Sequence, residues 1–393
     1  MDSSLEPYFQ FNKGLLLIMG RWPYQSKLQK KILPIYHLGM LASSVFFQGC
    51  KVFEEWTFNN WLHCLTPFLT QTGSALKLVT HVIKHQQIMA MFNSIQKDWK
   101  NLRFREEREM MINRLESARI VSILYALLLG LAAFSYTLLP IVPFFLDLID
   151  PLNESRPIHQ VFPVQYFVDD KKYFFHIFAH QELAVVTLYF SIMAFDVTYI
   201  FLAQYVCGMF AITGYRLDKL IGICSKEEDP TSLEIVDNDL VYQELGSCIE
   251  QHLKAIEFTS YFQEAHSSML FILLGINLFN LSTTGVEIVA NLDNLREIIR
   301  HAVVAVGELT HLFTLSLPGQ RIMDESLAIQ TELYSMEWYR LPLKAKKMQI
   351  LMMMRSARPC TISAGSHFTM CLEKFSSVAQ LAFSYFTVLA SLQ

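Results

Sequence analysis

Gln380, Ser384, Val388 and Leu392 recur every four residues and so share one face of a helix. They lie in FSSVAQLAFSYFTVLASLQ (375–393), which carries no formally charged side chain yet also holds Ser376, Ser377, Thr387 and Ser391. A helix wholly surrounded by lipid is apolar all round, whereas one that lines a pore can expose a polar file. Such a file offers small dipoles along a path for ions. Small hydroxyls also serve to pack helix on helix, and these residues alone leave both readings open.

The elements that must position this file are set by composition. Of 393 residues, 52% are hydrophobic and only 17% charged, with 30 Phe and a mean hydropathy of +0.28. A soluble chain would carry about 25% charged residues, so the balance points to a membrane protein. The net charge of −4 gives no signal for nucleic acid. The seven cysteines show no CxxC pair and no metal spacing, and read as thiols rather than a disulfide framework. No nucleophile-elbow, phosphate-loop or HExxH motif is present, so no enzyme, cofactor or metal is expected.

A bilayer core of about 30 Å needs roughly 20 apolar helical residues. Seven segments qualify: 32–50, 61–83, 118–146, 180–212, 262–290, 299–318 and 361–392. Lys77, Asp196, Glu287, Glu308 and His311 fall within them and are costly there. They read as isolated residues near span ends or helix contacts, in paired structural roles rather than as ion relays. His301 and His311 lack further ligands at metal spacing.

Lys and Arg set direction. The segments 1–31, 84–117, 213–258 and 319–358 hold 23 of them, against 6 in the alternate segments. The N-terminus is therefore expected in the cytosol and the C-terminus outside, with no cleaved leader and the first span as anchor. This is opposite to a G-protein-coupled receptor, whose Asp-Arg-Tyr and Asn-Pro-x-x-Tyr signatures are also missing. Asn153-Glu154-Ser155 is a sequon in the large outer loop, which makes Asn153 a glycosylation site. Asn280-Leu281-Ser282 matches too, but lies inside the fifth span and reads as chance.

Two stretches carry a family signal. One is Gly319, Glu325-Ser326, Tyr334 with Trp338-Tyr339, the basic helix ending Arg355…Arg358-Pro359, and Ser384-Tyr385-Phe386-Thr387-Val388-Leu389. The other is GRWPYQ (20–25), before the first span. Together they resemble insect odorant receptors; the middle of the chain matches in topology and span length.

The resemblance implies an all-α membrane protein with seven transmembrane helices, a cytosolic N-terminus, an extracellular C-terminus and a cytosolic helical anchor region. It implies an odorant-gated nonselective cation channel in which four subunits surround one pore. The chain's length, and the absence of a long insertion in 213–258, point to an odour-tuned subunit. Its partners would be the olfactory coreceptor in a heterotetramer, a volatile small-molecule odorant, cations in the pore and membrane lipid. Its location would be the plasma membrane of olfactory sensory neurons.

Residues 1–318 would hold the N-terminal segment, six helices and an outward-facing odorant pocket, 319–360 the anchor, and 361–393 the pore-lining seventh helix. Val388 and Leu392 match the family's hydrophobic gate, an apolar ring that closes by dewetting, with Gln380 and Ser384 on the same file. Trp338, Tyr339 and Leu343 would pack in the inter-subunit anchor; a solvated basic loop beside anionic lipid is the alternative. The family's pocket opens in the outer halves of spans two, three, four and six, giving Phe68, Thr72, Ser135, Tyr136, Leu139, Leu188, His301 and Val304 as candidate ligand contacts.

Two other functions compete. A secondary transporter would show an internal repeat, and none is visible in this odd number of spans. A gustatory receptor shares the architecture, but its last helix usually carries a Thr-Tyr…Gln-Phe ending.

Overall fold

The computed structural model describes residues 5–390 apart from 55–56, 103, 139, 150–155, 157–159, 171, 226–237, 337 and 366–367. Among these residues the chain forms α1 (Glu6–Ile18), α2 (Lys27–Glu54), α3 (Phe58–Ile83), α4 (His85–Asn101), α5 (Arg105–Leu138), α6 (Val142–Ile149), α7 (Phe174–Ser225), α8 (Asn238–Ala290) and α9 (Leu295–Ser335). A 3-10 turn (Trp338–Arg340), α10 (Leu343–Ser356), a hairpin of β1 (Ser363–Ala364) and β2 (Phe368–Thr369), and α11 (Leu372–Ala390) complete it. The chain is an all-α membrane protein of seven spanning helices: α2, α3, α5, α7, α8, α9 and α11. Five of these, α2, α5, α7, α8 and α9, are long and apolar enough to cross a bilayer by length and composition alone.

Burial sorts the helices. The most apolar window of α7 is 72% buried within the chain and that of α5 only 17%. Hence α7 is the central post. The outward row Ile120, Leu124, Leu127, Leu131 and Phe134 of α5, all exposed, is a lipid-facing stripe. At 1.5 Å per residue the 52 residues of α7 reach about 78 Å, well past a core of about 30 Å. The surplus of α7, α8 and α9 therefore projects on the basic, cytosolic side.

The cytosolic end has its own packing. Phe9 of α1 meets Trp22, Phe92 and Phe201 with ring centroids 5.1, 5.2 and 4.5 Å away. Gly20 adopts φ +69°, and a Cβ there would strike Leu33 and Pro34, so the GRWPYQ turn needs glycine. Further toward the cytosolic tips of α7 and α9, Glu332 packs on Gly214, where a Cβ would collide with its carboxylate. Burial, with Asp218 and Glu325 nearby, pushes the Glu332 carboxyl up to about 7.

Three expected boundaries are corrected. The span placed at 118–146 is divided into α5 and α6, because Pro140 and Pro143 lack the amide hydrogens that an uninterrupted helix needs. The division between 318 and 319 falls inside the continuous α9, so Gly319, one residue past the expected end of the sixth span, lies within that helix. Its glycine is required because a Cβ would collide with the carbonyl oxygen of Met370.

The third correction concerns the helix expected over 361–392, which starts only at Leu372. Gly365, at φ +64°, turns the preceding residues into the hairpin, and the Gly365 amide donates to Ser267 O (3.0 Å) on α8. The 19 residues of α11 span about 28 Å, close to one bilayer core. Glu373 and Lys374 lie in its first turn.

Candidate functional site

The outer half of the bundle encloses a cavity of about 190 Å³. Its walls come from α3, α5, α7, α8 and α9, and most of its lining is aliphatic or aromatic. Phe162 forms a roof. It belongs to an outer loop drawn inward by Gln181 of α7: the Val161 amide donates to Gln181 Oε1 (3.0 Å), and Gln181 Nε2 donates to Phe162 O (2.9 Å). Arg300 of α9 fixes the same loop by donating from Nη2 to Val161 O (2.6 Å) and to Tyr136 OH (3.0 Å).

The cavity floor is polar, and five helices meet there. Lys77 Nζ of α3 donates to Asp196 Oδ1 of α7 at 2.5 Å, and Tyr125 OH of α5 donates to Asp196 Oδ2 at 2.7 Å. His311 Nδ1 of α9 lies 3.1 Å from Asn277 Oδ1 of α8, whose Nδ2 is committed to Leu273 O. His311 Nδ1 is therefore the donor, which leaves Nε2 to accept from Lys77 Nζ at 2.8 Å. Beside it Glu308 Oε1 accepts from Asn280 Nδ2 (2.9 Å) and Thr70 Oγ1 (3.2 Å). Lys77, Glu308 and His311 all reach the cavity surface, and Thr66, Thr70 and Ser74 run along one wall, so a ligand meets a hydrogen-bonding floor, one polar stripe and otherwise mostly apolar walls. An apolar cavity of about 150 Å³ takes up benzene, so this one suits a molecule only somewhat larger.

Of the expected ligand contacts, Tyr136, Leu188 and Val304 line the cavity. Phe68, Thr72 and Ser135 do not: Thr72 and Ser135 are exposed on other faces and close back on Phe68 O and Leu131 O of their own helices. His301 sits outside the lining, beside His63 and Glu287. Leu139 lies outside the described residues, as do Leu392 and Asn153. Sequence reasoning missed α8 as a wall, Phe162 as a roof, and the polar floor. The five costly residues are paired, but they are not isolated: Lys77, Asp196 and His311 form one network, Glu308 forms a second, and Glu287 pairs with His63. Asn280 is fully buried in the second.

On α11, Val378 and Ala382 are buried, whereas Gln380, Ser384 and Val388 are exposed on the far side. In the anchor region Ala345, Gln349, Met352 and Ser356 of α10 face inward. Trp338, Tyr339 and Leu343, together with Tyr334, Ile350, Leu351 and Met354, leave a broad apolar surface outward.

Comparison with known proteins adds the family. A family model described as 7tm Odorant receptor matches residues 57–383. Odorant receptor 9a of Drosophila melanogaster is 23% identical over 294 residues, covering 73% of this chain and 69% of that one. The odorant receptor coreceptor of Aedes aegypti is 24% identical over 169 residues, 42% of this chain and 34% of its own. In fold, the chain superposes on the insect olfactory receptor OR5 from Machilis hrabei, solved in complex with eugenol, with a TM-score of 0.80, 15% identity and 99% of both chains covered. A roofed, mostly apolar chamber in a seven-helix bundle is thus found in a chain whose sequence is matched over most of its length, and this chain belongs to the 7tm odorant receptor family.

Proposed function

We propose that this chain is the odour-tuned subunit of an odorant-gated, nonselective cation channel, and that it binds a small volatile molecule in the chamber beneath Phe162. The chamber carries the reading: its size, its mostly apolar walls and its polar floor fit a compact odorant with a hydrogen-bonding group. Opening would be transmitted to a pore lined by α11 from each of four subunits, with Gln380, Ser384, Val388 and Leu392 on the pore file. The coreceptor would supply the remaining subunits, and the exposed apolar surface around Trp338, Tyr339 and Leu343 would hold the tetramer together. The receptor would act in the plasma membrane of olfactory sensory neurons, glycosylated at Asn153.

Whole-cell recording from cells expressing this chain with and without the coreceptor tests the reading; no odorant-evoked cation current across a broad odour panel in the paired cells would overturn it. Two expectations refine it. Leu188→Trp and Val304→Trp fill the chamber and should raise the half-maximal odorant concentration about tenfold or more, with ion selectivity unchanged. Ser135→Ala and Thr72→Ala, on faces turned away from it, should leave the curve in place. If all four variants behave alike, the chamber is not the odorant site.

The second concerns assembly. Trp338→Ala with Tyr339→Ala removes large aromatics from a surface that would be buried between subunits, where such contacts dominate binding energy at about 2 kcal/mol or more each. Less tetramer on a native gel is expected, with each chain still inserted. Unchanged tetramer yield would make this surface lipid- or solvent-facing.

A further inference from the structure

At the outer ends of three helices a second constellation lies above the chamber. His63 of α3, Glu287 of α8 and His301 of α9 bring one ligand atom each to within 4.8 Å of one another. His63 Nδ1 is 3.0 Å from Glu287 Oε2, and His301 Nε2 is 3.8 Å from the same oxygen. His301 Nε2 is buried and has no hydrogen-bond partner. The imidazole rings of His63 and His301 stack, with centroids 6.1 Å apart and planes inclined by 28°.

We propose that His63, Glu287 and His301 form an extracellular binding site for a late first-row divalent cation, zinc or copper. Two imidazoles and one carboxylate are the donor set such ions favour over calcium or magnesium. Donors about 2.0–2.1 Å from a tetrahedral zinc stand about 3.4 Å apart. The pairs at 3.0 and 3.8 Å bracket that spacing. Closing a pair 4.8 Å apart to that spacing needs an inward shift of about 1.4 Å, and the His63 side chain, 38% exposed, has room to move. Glu287, only 3% exposed, is the fixed member.

The surroundings suit this arrangement. Asn291 Nδ2 donates to Glu287 O at 2.9 Å and to Glu287 Oε2, the oxygen that faces the two histidines, at 3.4 Å, which helps to fix that oxygen's position. The nearby cation Arg300 is held by Tyr136, Val161 and Glu297, and the Glu297 carboxylate offsets part of its charge at the site. Glu297 Oε2 stands 3.8 Å from His301 Nε2 and adds negative potential. His63 and His301 precede the chamber residues Thr66 and Val304 by three positions each, one helical turn outward. A bound ion would therefore tie α3, α8 and α9 together at the mouth of the chamber.

The test is metal binding itself, which does not depend on channel activity. The purified full-length chain in detergent is titrated with cobalt(II), a spectroscopic stand-in for zinc. One cobalt per chain, with visible d–d absorption that zinc abolishes, is the expected result. His63→Ala and Glu287→Gln should weaken the site by at least about tenfold, whereas His85→Ala, on the cytosolic α4, should not. His63→Cys should keep the ion and add a sulfur-to-cobalt charge-transfer band, which places position 63 in the coordination shell. Absence of d–d absorption in the wild-type chain overturns the proposal without recourse to any variant. Binding equally strong in His63→Ala, Glu287→Gln and the wild type overturns it as well.

Discussion

Asp196→Ala is expected to deplete folded receptor, and Asp196→Leu combined with Lys77→Met to restore part of it, since Tyr125 and His311 still lose a partner. Both charged side chains are about 1% exposed, in the middle of a membrane bundle. Removing the carboxylate strands the Lys77 ammonium and leaves the Tyr125 hydroxyl without its acceptor. Breaking one partner of a buried ion pair costs about 3–5 kcal/mol, a large share of the 5–15 kcal/mol that typically separates folded from unfolded chains. Replacing both partners with apolar side chains of similar volume is often neutral or stabilising. Asp196→Asn keeps an acceptor without the charge and should fall between Asp196→Ala and the wild type.

The order of stability can be read from the thermal loss of the monodisperse peak in detergent, with surface biotinylation as a second measure. A single Asp196→Ala as stable as the wild type, or a double variant as unstable as the single, would mean that the Lys77–Asp196 pair does not hold α3 to α7. The double variant carries a further consequence. Lys77 is part of the chamber floor, so a receptor that folds without it should respond to odorants with a shifted half-maximal concentration.

What could be read from the sequence follows from which physical signals are local. Span number and direction are local: apolar runs and the Lys/Arg bias need no knowledge of neighbours. The polar network is not, because Lys77 finds Asp196 119 positions away and His311 234 positions away. In sequence each therefore reads as a lone charge in an apolar run. Tyr136, Leu188 and Val304 were accessible because direction alone identifies the outer halves of helices. Phe68, Thr72 and Ser135 lie off the cavity because direction does not fix which way a helix is rotated. For α3 a rotational signal was present: Thr66, Thr70, Ser74 and Lys77 recur at helical spacing and form the chamber-facing stripe. The run VFPVQYF (161–167) in an outer loop was another, being too apolar for a loop in water and too short for a span. The start of α11 was obscured because 361–371 carries no formally charged residue to mark a span end, and the left-handed Gly365 turns the chain aside.

Val388→Ser is expected to give a standing cation current without odorant, reduced by channel blockers. Val378, Ala382 and Phe386 recur every four residues on α11. The first two are buried, and Phe386 lies where a Cβ on Gly285 would touch it, which identifies the face turned toward α8. Gln380, Ser384 and Val388 are each offset from that row by two residues, about 200° around the helix, and so point away from their own chain. Val388 is 57% exposed in the single chain. Four such helices around an axis would bring four apolar side chains into one ring, and a ring of that kind closes a pore by excluding water. Serine there is small and polar, so the ring would hydrate and conduct. Coreceptor subunits that contribute their own apolar side chains would make the leak partial. Leu389→Ser changes a residue about 100° further round and should leak less. Equal leak from the two positions would remove the pore file from this face, and the small polar residues of α11 would then be read as helix-packing groups.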